Sequence, residues 1–134
     1  MPITKSPHVW IVDDDEDDQY LFAVAFQHFI PPIIVKQLGD GEDLLPALAH
    51  AECLPDLVIL DLNMPRLNGF ETLKLLRAGS AYQHLPVVVL STSAQPQEKE
   101  RALQLGANGF LTKPASLDSI LNLFGQLVQE WQLH

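Results

Sequence analysis

A few side chains in this sequence have types and spacing that could make a cation-binding, phosphate-handling site. Asp13 and Asp14 follow the apolar run His8 to Val12, and Asp61 follows Leu57-Val58-Ile59-Leu60. Ser91-Thr92 follows Pro86 to Leu90, and Lys113 follows Gly109 to Thr112. A carboxylate can act as a nucleophile, and grouped carboxylates bind a hard cation. A hydroxyl and an ammonium can take the charge of a phosphoryl group in transfer. Carboxylates packed together repel: two unit charges ~4 Å apart cost about 4 kcal/mol at an effective dielectric near 20. Such a group therefore calls for a cation or a shared proton. Oxygen ligands with one or two carboxylates and several waters describe Mg²⁺.

Each of these residues sits at the end of a candidate strand, so the elements decide whether they meet. Leu57 to Leu60 is aliphatic throughout, as expected of a strand buried on both faces of a parallel sheet. The strand candidates are His8–Val12, Ile33–Leu38, Leu57–Leu60, Pro86–Leu90 and Gly109–Thr112. Between them lie helical patterns. Leu21, Phe22, Ala25, Phe26 and Phe29 share the spacing of one helical face, closed by Pro31-Pro32. Asp40-Gly41 marks a turn, and Pro46 predicts a second helix that is short or starts late. A third helix carries Phe70, Leu73, Leu76 and Arg77; a fourth covers about Gln97 to Leu105 and ends at Gly106. Ser116 caps a fifth, with Leu117, Ile120, Leu121, Phe124, Val128 and Trp131 on one stripe. Five strands alternating with helices predict an α/β fold: a parallel, doubly wound sheet with right-handed crossovers. All its strands end on one edge, where ligands bind in such sheets. One aspartate after a strand is often a helix cap; polar residues at the ends of four strands form a joint pattern.

With 134 residues, the expectation is a single domain over 1–134 with its core at about 8–130. A net charge of −9 argues against a non-specific grip on nucleic acid or an anionic membrane. No apolar run reaches the roughly 20 residues of a membrane helix. The start, Met1 to Lys5, lacks a signal-peptide core. The lone Cys53 cannot form an internal disulfide, which suits a reducing cytoplasm. Asp13 to Asp18 is six acidic residues in a row, ordinarily a solvated helix start. The five histidines lack metal-ligand spacing.

Val12-Asp13-Asp14, Asp61-Leu62-Asn63-Met64-Pro65 with Gly69, Pro86 to Ser91, and Gly106 to Pro114 with its Thr112-Lys113-Pro114 close resemble the receiver domain of two-component response regulators, of the chemotaxis-type single-domain kind. The resemblance spans about residues 8 to 130. It implies flavodoxin-like strand order 2-1-3-4-5. Asp61 would be the phospho-acceptor. Mg²⁺ would be bound by Asp14 and Asp61, by Asn63 through its backbone carbonyl and by Asp13 through water. Ser91 would be the switch hydroxyl, Lys113 the phosphoryl partner and Phe110 either the aromatic switch position or a plain core aromatic of strand five. Asp15 and Ser93 stand where family members tune acyl-phosphate lifetime. The implied partners are a sensor histidine kinase or phosphotransfer protein, docking on helix one near Tyr20, Val24 and Gln27, and a downstream protein on the helix 4, strand 5, helix 5 face. Leu123 and Leu127, off the main stripe of the last helix, are candidates for a homodimer or partner contact there, or part of a wide buried face.

Such a domain turns over no separate substrate and is not expected to be a conventional enzyme. Two rivals belong to other classes. A degenerate receiver would serve only as a phosphate-independent interaction module. A Mg²⁺-dependent phosphohydrolase of haloacid-dehalogenase type would want a second aspartate two residues after Asp61, where Asn63 stands.

Overall fold

A computed structural model describes residues 6–29, 32–93, 95–114 and 116–133. The chain runs β1 (His8–Val12), α1 (Glu16–Phe26), β2 (Ile34–Leu38), α2 (Leu44–His50), β3 (Leu57–Asp61), α3 (Gly69–Ala78), β4 (Val87–Ser91), α4 (Pro96–Gln104), β5 (Gly109–Thr112) and α5 (Leu117–Glu130). Short 3₁₀ turns, Gly41–Asp43 and Ser80–Tyr82, precede α2 and β4. The strands form one parallel sheet in the order β2-β1-β3-β4-β5, the doubly wound α/β, flavodoxin-like arrangement. Among the described residues, no helix is long and apolar enough to cross a membrane.

Alternation along the strands divides the core in two. Val9, Ile11, Leu57, Ile59, Val88 and Leu90 pack with Phe22, Phe26, Ile120 and Phe124, so α1 and α5 cover that face. Trp10, Val12, Val58, Leu60, Val87 and Val89 pack with Leu44, Leu48, Leu73, Leu76 and Ala102, so α2, α3 and α4 cover the other. The central strands β3 and β4 are buried along their whole length. The register sets Val12 beside Leu60, Asp61 beside Leu90 and Ser91 beside Thr112. That alignment brings the polar strand ends to one edge.

Local chemistry fits these elements. Asp15 caps α1, and its carboxylate accepts the N–H groups of Asp17 and Asp18. Asn68 and Glu71 form a reciprocal capping box at the start of α3. Pro46 lies in the first turn of a seven-residue α2, as its missing N–H requires. Gly106, at φ +105°, follows the end of α4 in the left-handed region.

Three helical readings change. Leu21 is exposed, and Gln19 takes the buried position one turn before Phe22. Its amide nitrogen donates among the carbonyls of Ile11, Asp13 and Leu38 near the ends of β1 and β2, adding to the Asp13 N–H that the Leu38 carbonyl also accepts. Second, α1 ends at Phe26 in tightened turns through Phe29, ahead of the prolines; Pro31 lies outside the described residues. Third, Leu117 is exposed while Leu127 is only 2% exposed and Leu123 packs half-buried on the α1–α5 core. Helix α5 thus buries a wide face, and Leu123 with Leu127 offers no exposed contact for a partner or dimer. The reason is the helical period: Leu127 stands three residues after Phe124 and seven after Ile120, on the same face, and Leu123 flanks it where α5 packs on α1.

Candidate functional site

The site lies at the carboxyl edge, where β1, β3, β4 and β5 end. Asp13 and Asp61 are 2% and 5% exposed, very low values for carboxylates. Asp14 is exposed beside them, and one oxygen from each of Asp13, Asp14 and Asp61 lies within 4.8 Å of the others. Lys113 enters from the loop after β5, its backbone N–H held by the Ser91 carbonyl at 2.7 Å. Its ammonium reaches Asp18 at 2.8 Å, Asp13 at 2.9 Å and Asp61 at 3.3 Å. The edge therefore gathers four carboxylates around one cation.

That imbalance appears in the protonation equilibria. Burial pushes the Asp61 carboxyl up from 3.8 to about 6; the charges of Asp13 and Asp14 add to the rise and Lys113 opposes it. Burial also raises Asp13, against hydrogen bonds from Lys113 and the Asp15 N–H. For Lys113 burial alone would lower the value, but hydrogen bonds to Asp18 and Asp13 and the charges of Asp13 and Asp61 raise it above the ordinary lysine range. A group of buried carboxylates short of positive charge, all oxygen donors, has the chemistry of a divalent-cation site. Asp13, Asp14 and Asp61 fit such an ion.

The backbone around Asp61 is held closely. The Gly69 N–H returns to the Leu62 carbonyl at 2.9 Å. A Cβ on Gly69 would stand 2.8 Å from the Asp61 carbonyl oxygen and 2.9 Å from Leu62 Cα, so only glycine permits this approach. The loop between them carries exposed Asn63 and buried Met64. Its far side is tied down by Asp40, which accepts the N–H groups of Arg66 at 3.1 Å and Leu67 at 2.8 Å.

The remaining expected residues occupy distinct places. Ser91 is fully buried and its hydroxyl accepts the Ser93 N–H at 3.0 Å, whereas Thr92 is exposed. Ser93 in turn accepts the N–H of Gln95. Phe110 packs half-buried on the α2–α3–α4 core. Asp15 has its carboxylate engaged as the α1 cap. Two residues make contacts that local pattern does not reveal: Asp18, which binds Lys113, and Asp40, whose place in a turn signal says nothing of the loop it holds. Asp18 lay within a visible acidic run, but only the packing of α1 beside the β5 loop joins it to a residue 95 positions away.

Comparison with known proteins agrees with this geometry. Residues 9–124 match the family model of the response regulator receiver domain. Protein PilH of Pseudomonas aeruginosa is 33% identical over 114 residues, covering 84% of this chain and 90% of PilH; some other relatives are far longer, one of them only 16% spanned. The phosphorylated cyanobacterial phytochrome response regulator RcpA superposes with a TM-score of 0.88 at 27% identity, over 96% of this chain and 95% of RcpA. The Mn²⁺-bound form of response regulator Rcp1 superposes with a TM-score of 0.82 at 25% identity, over 93% and 94% of the two chains. With its fold, its carboxyl-edge acidic group and these relatives, the chain belongs to the receiver domains of two-component response regulators.

Proposed function

We propose that this protein is a phosphorelay receiver that takes a phosphoryl group from a phosphohistidine onto Asp61. The carrying observation is the convergence of buried Asp61 with Asp13, Asp14 and Lys113 at the sheet edge. An Asp61 oxygen attacks phosphorus; the P–N bond to the donor imidazole breaks, and the imidazole leaves with the electron pair. The product is an acyl phosphate, which water later hydrolyses. Phosphoryl transfer of this kind depends on positioning and electrostatics. Lys113 meets one phosphoryl oxygen with its ammonium, and Ser91 offers a hydroxyl to another. Asp13, Asp14 and Asp61, with the Asn63 backbone carbonyl, would hold Mg²⁺. When bound, the ion offsets the carboxylates and shields a phosphoryl oxygen from them. The Mn²⁺ in Rcp1 and the phosphorylation of RcpA support this reading.

The donor would be a sensor histidine kinase or phosphotransfer protein docking on α1, where Tyr20 is 69% exposed. A downstream protein would read the α4–β5–α5 face, where Leu103 and Leu117 are exposed. Phe110, Ser93 and Asp15 would modulate switching and lifetime. The reading implies a cytoplasmic setting and no separate substrate turned over.

Intact mass after incubation with acetyl phosphate provides the test. One phosphoryl adduct is expected with Mg²⁺, none with excess chelator and none in Asp61→Asn. Labelling that survives chelation would remove the metal role. Absence of both the adduct and a beryllium fluoride complex would replace this reading with a phosphate-independent interaction module.

A further inference from the structure

Three carboxylates surround the Lys113 ammonium: Asp18 accepts a hydrogen bond from it at 2.8 Å, and Asp13 and Asp61 stand as ion-pair partners at 2.9 and 3.3 Å. The three contacts are not equivalent. Asp13 is buried and its other oxygen accepts the Asp15 N–H at 2.9 Å. Asp61 is nearly as buried. Asp18 stands on the first turn of α1 with its side chain 31% exposed, yet makes the shortest contact, 2.8 Å. It lies outside the trio of carboxylates that can share a cation. A phosphoryl group on Asp61 brings anionic oxygens that draw the Lys113 ammonium toward them, at the expense of one of its present partners. Water can replace Lys113 at Asp18 far more readily than at Asp13.

The geometry points to Asp18 as a positioning residue that competes with the phosphoryl group for the Lys113 ammonium. This rests on Asp61 being the acceptor, as proposed above. Without phosphate, Asp18 draws Lys113 toward α1. With phosphate seated, Asp18 is released and its charge faces a second anion. Asp18 therefore favours the unphosphorylated state, and the first turn of α1 responds to the state of Asp61. The fold of that turn does not depend on the Asp18 carboxylate, because the capping bonds come from Asp15.

Binding of beryllium fluoride with Mg²⁺, followed by fluorine NMR, tests this on wild type, Asp18→Asn and Asp18→Ala. Both variants should bind about fivefold more tightly. Equal or weaker binding in both, with wild type binding normally, would overturn the competition and leave the acceptor reading intact. Binding by the variants alone would support it. No binding by any of the three would overturn the acceptor reading and this proposal with it. A second readout needs no phosphate mimic. Asp18→Asn should shift the urea midpoint of the unliganded protein, and the shift should vanish in a Lys113→Met background. A shift of the same size in both backgrounds would mean that Asp18 acts only on the α1 helix terminus, and would overturn the proposal.

Discussion

Asp40 and Asp61 are the same residue type and are similarly little exposed, at 6% and 5%, although Asp61 is the more deeply surrounded; Asp40 follows β2 and Asp61 ends β3 on the carboxyl edge. Their carboxyls nevertheless shift in opposite directions. Burial pushes Asp40 up, but the N–H groups of Glu42, Arg66 and Leu67 pull harder and leave it below 3.8. Burial pushes Asp61 up to about 6, with Asp13 and Asp14 adding to the rise. The corner at Asp40 is complete, because neutral backbone donors saturate the charge without bringing another charge. The crevice at Asp61 has one ammonium shared among several carboxylates and stays electrostatically open. Low exposure by itself does not mark a functional carboxylate; the two sites differ in depth and in whether the protein has already satisfied the charge.

The largest test of this contrast is Asp40→Ala. Three buried or half-buried N–H groups would lose their acceptor, and the loop after β3 would lose its tie to the β2 turn. Urea unfolding should show a loss of about 3 kcal/mol.

Next is the pH dependence of stability in chelator. Asp61 holds its proton more tightly when folded than unfolded, so its contribution to stability is greatest at low pH and is lost as pH rises from 3.8 to about 6. Asp40 has the opposite sign: its contribution is present above 3.8 and is lost as pH falls through its lower folded value. Asp61→Asn should flatten the upper window and raise stability above about pH 7 by about 2 kcal/mol. A stability profile for Asp61→Asn that retains the wild-type slope there would remove the contrast.

The smallest effect sharpens the cause. Arg66 and Glu42 also form an ion pair beside Asp40, at 3.9 Å with both side chains exposed. Glu42→Gln should change stability by less than about 0.5 kcal/mol. A larger loss by thermal unfolding would mean that the surface pair, and not the backbone donors to Asp40, holds the corner.

Much of this molecule follows from local pattern. The aliphatic runs ending in Asp61 and Ser91 could be little other than buried parallel strands, and strands of one direction bring their ends to one edge. That logic brings Asp13, Asp14, Asp61, Ser91 and Lys113 to the same edge. On α5 the buried stripe is wider than Leu117, Ile120, Leu121, Phe124, Val128 and Trp131, because Leu127 shares the face of Ile120 and Phe124 at helical spacing. The contacts of Gln19, Asp18 and Asp40 were not legible, for a different reason. Each is a polar residue whose partner lies on another element: Leu38 for Gln19, Lys113 for Asp18, Arg66 and Leu67 for Asp40.

The parallel, layered architecture and the membership of the acidic edge were thus present in the one-dimensional pattern, because hydrophobic periodicity is a local property and parallel strands share one direction; the strand order came from the family resemblance and not from periodicity. The choice of which carboxylate is quenched, which is left open and which holds the lysine arose only when distant loops packed together. Charge in a protein interior is set by neighbours within a few ångströms, and those neighbours come from opposite ends of the chain, as Asp13 and Lys113 do.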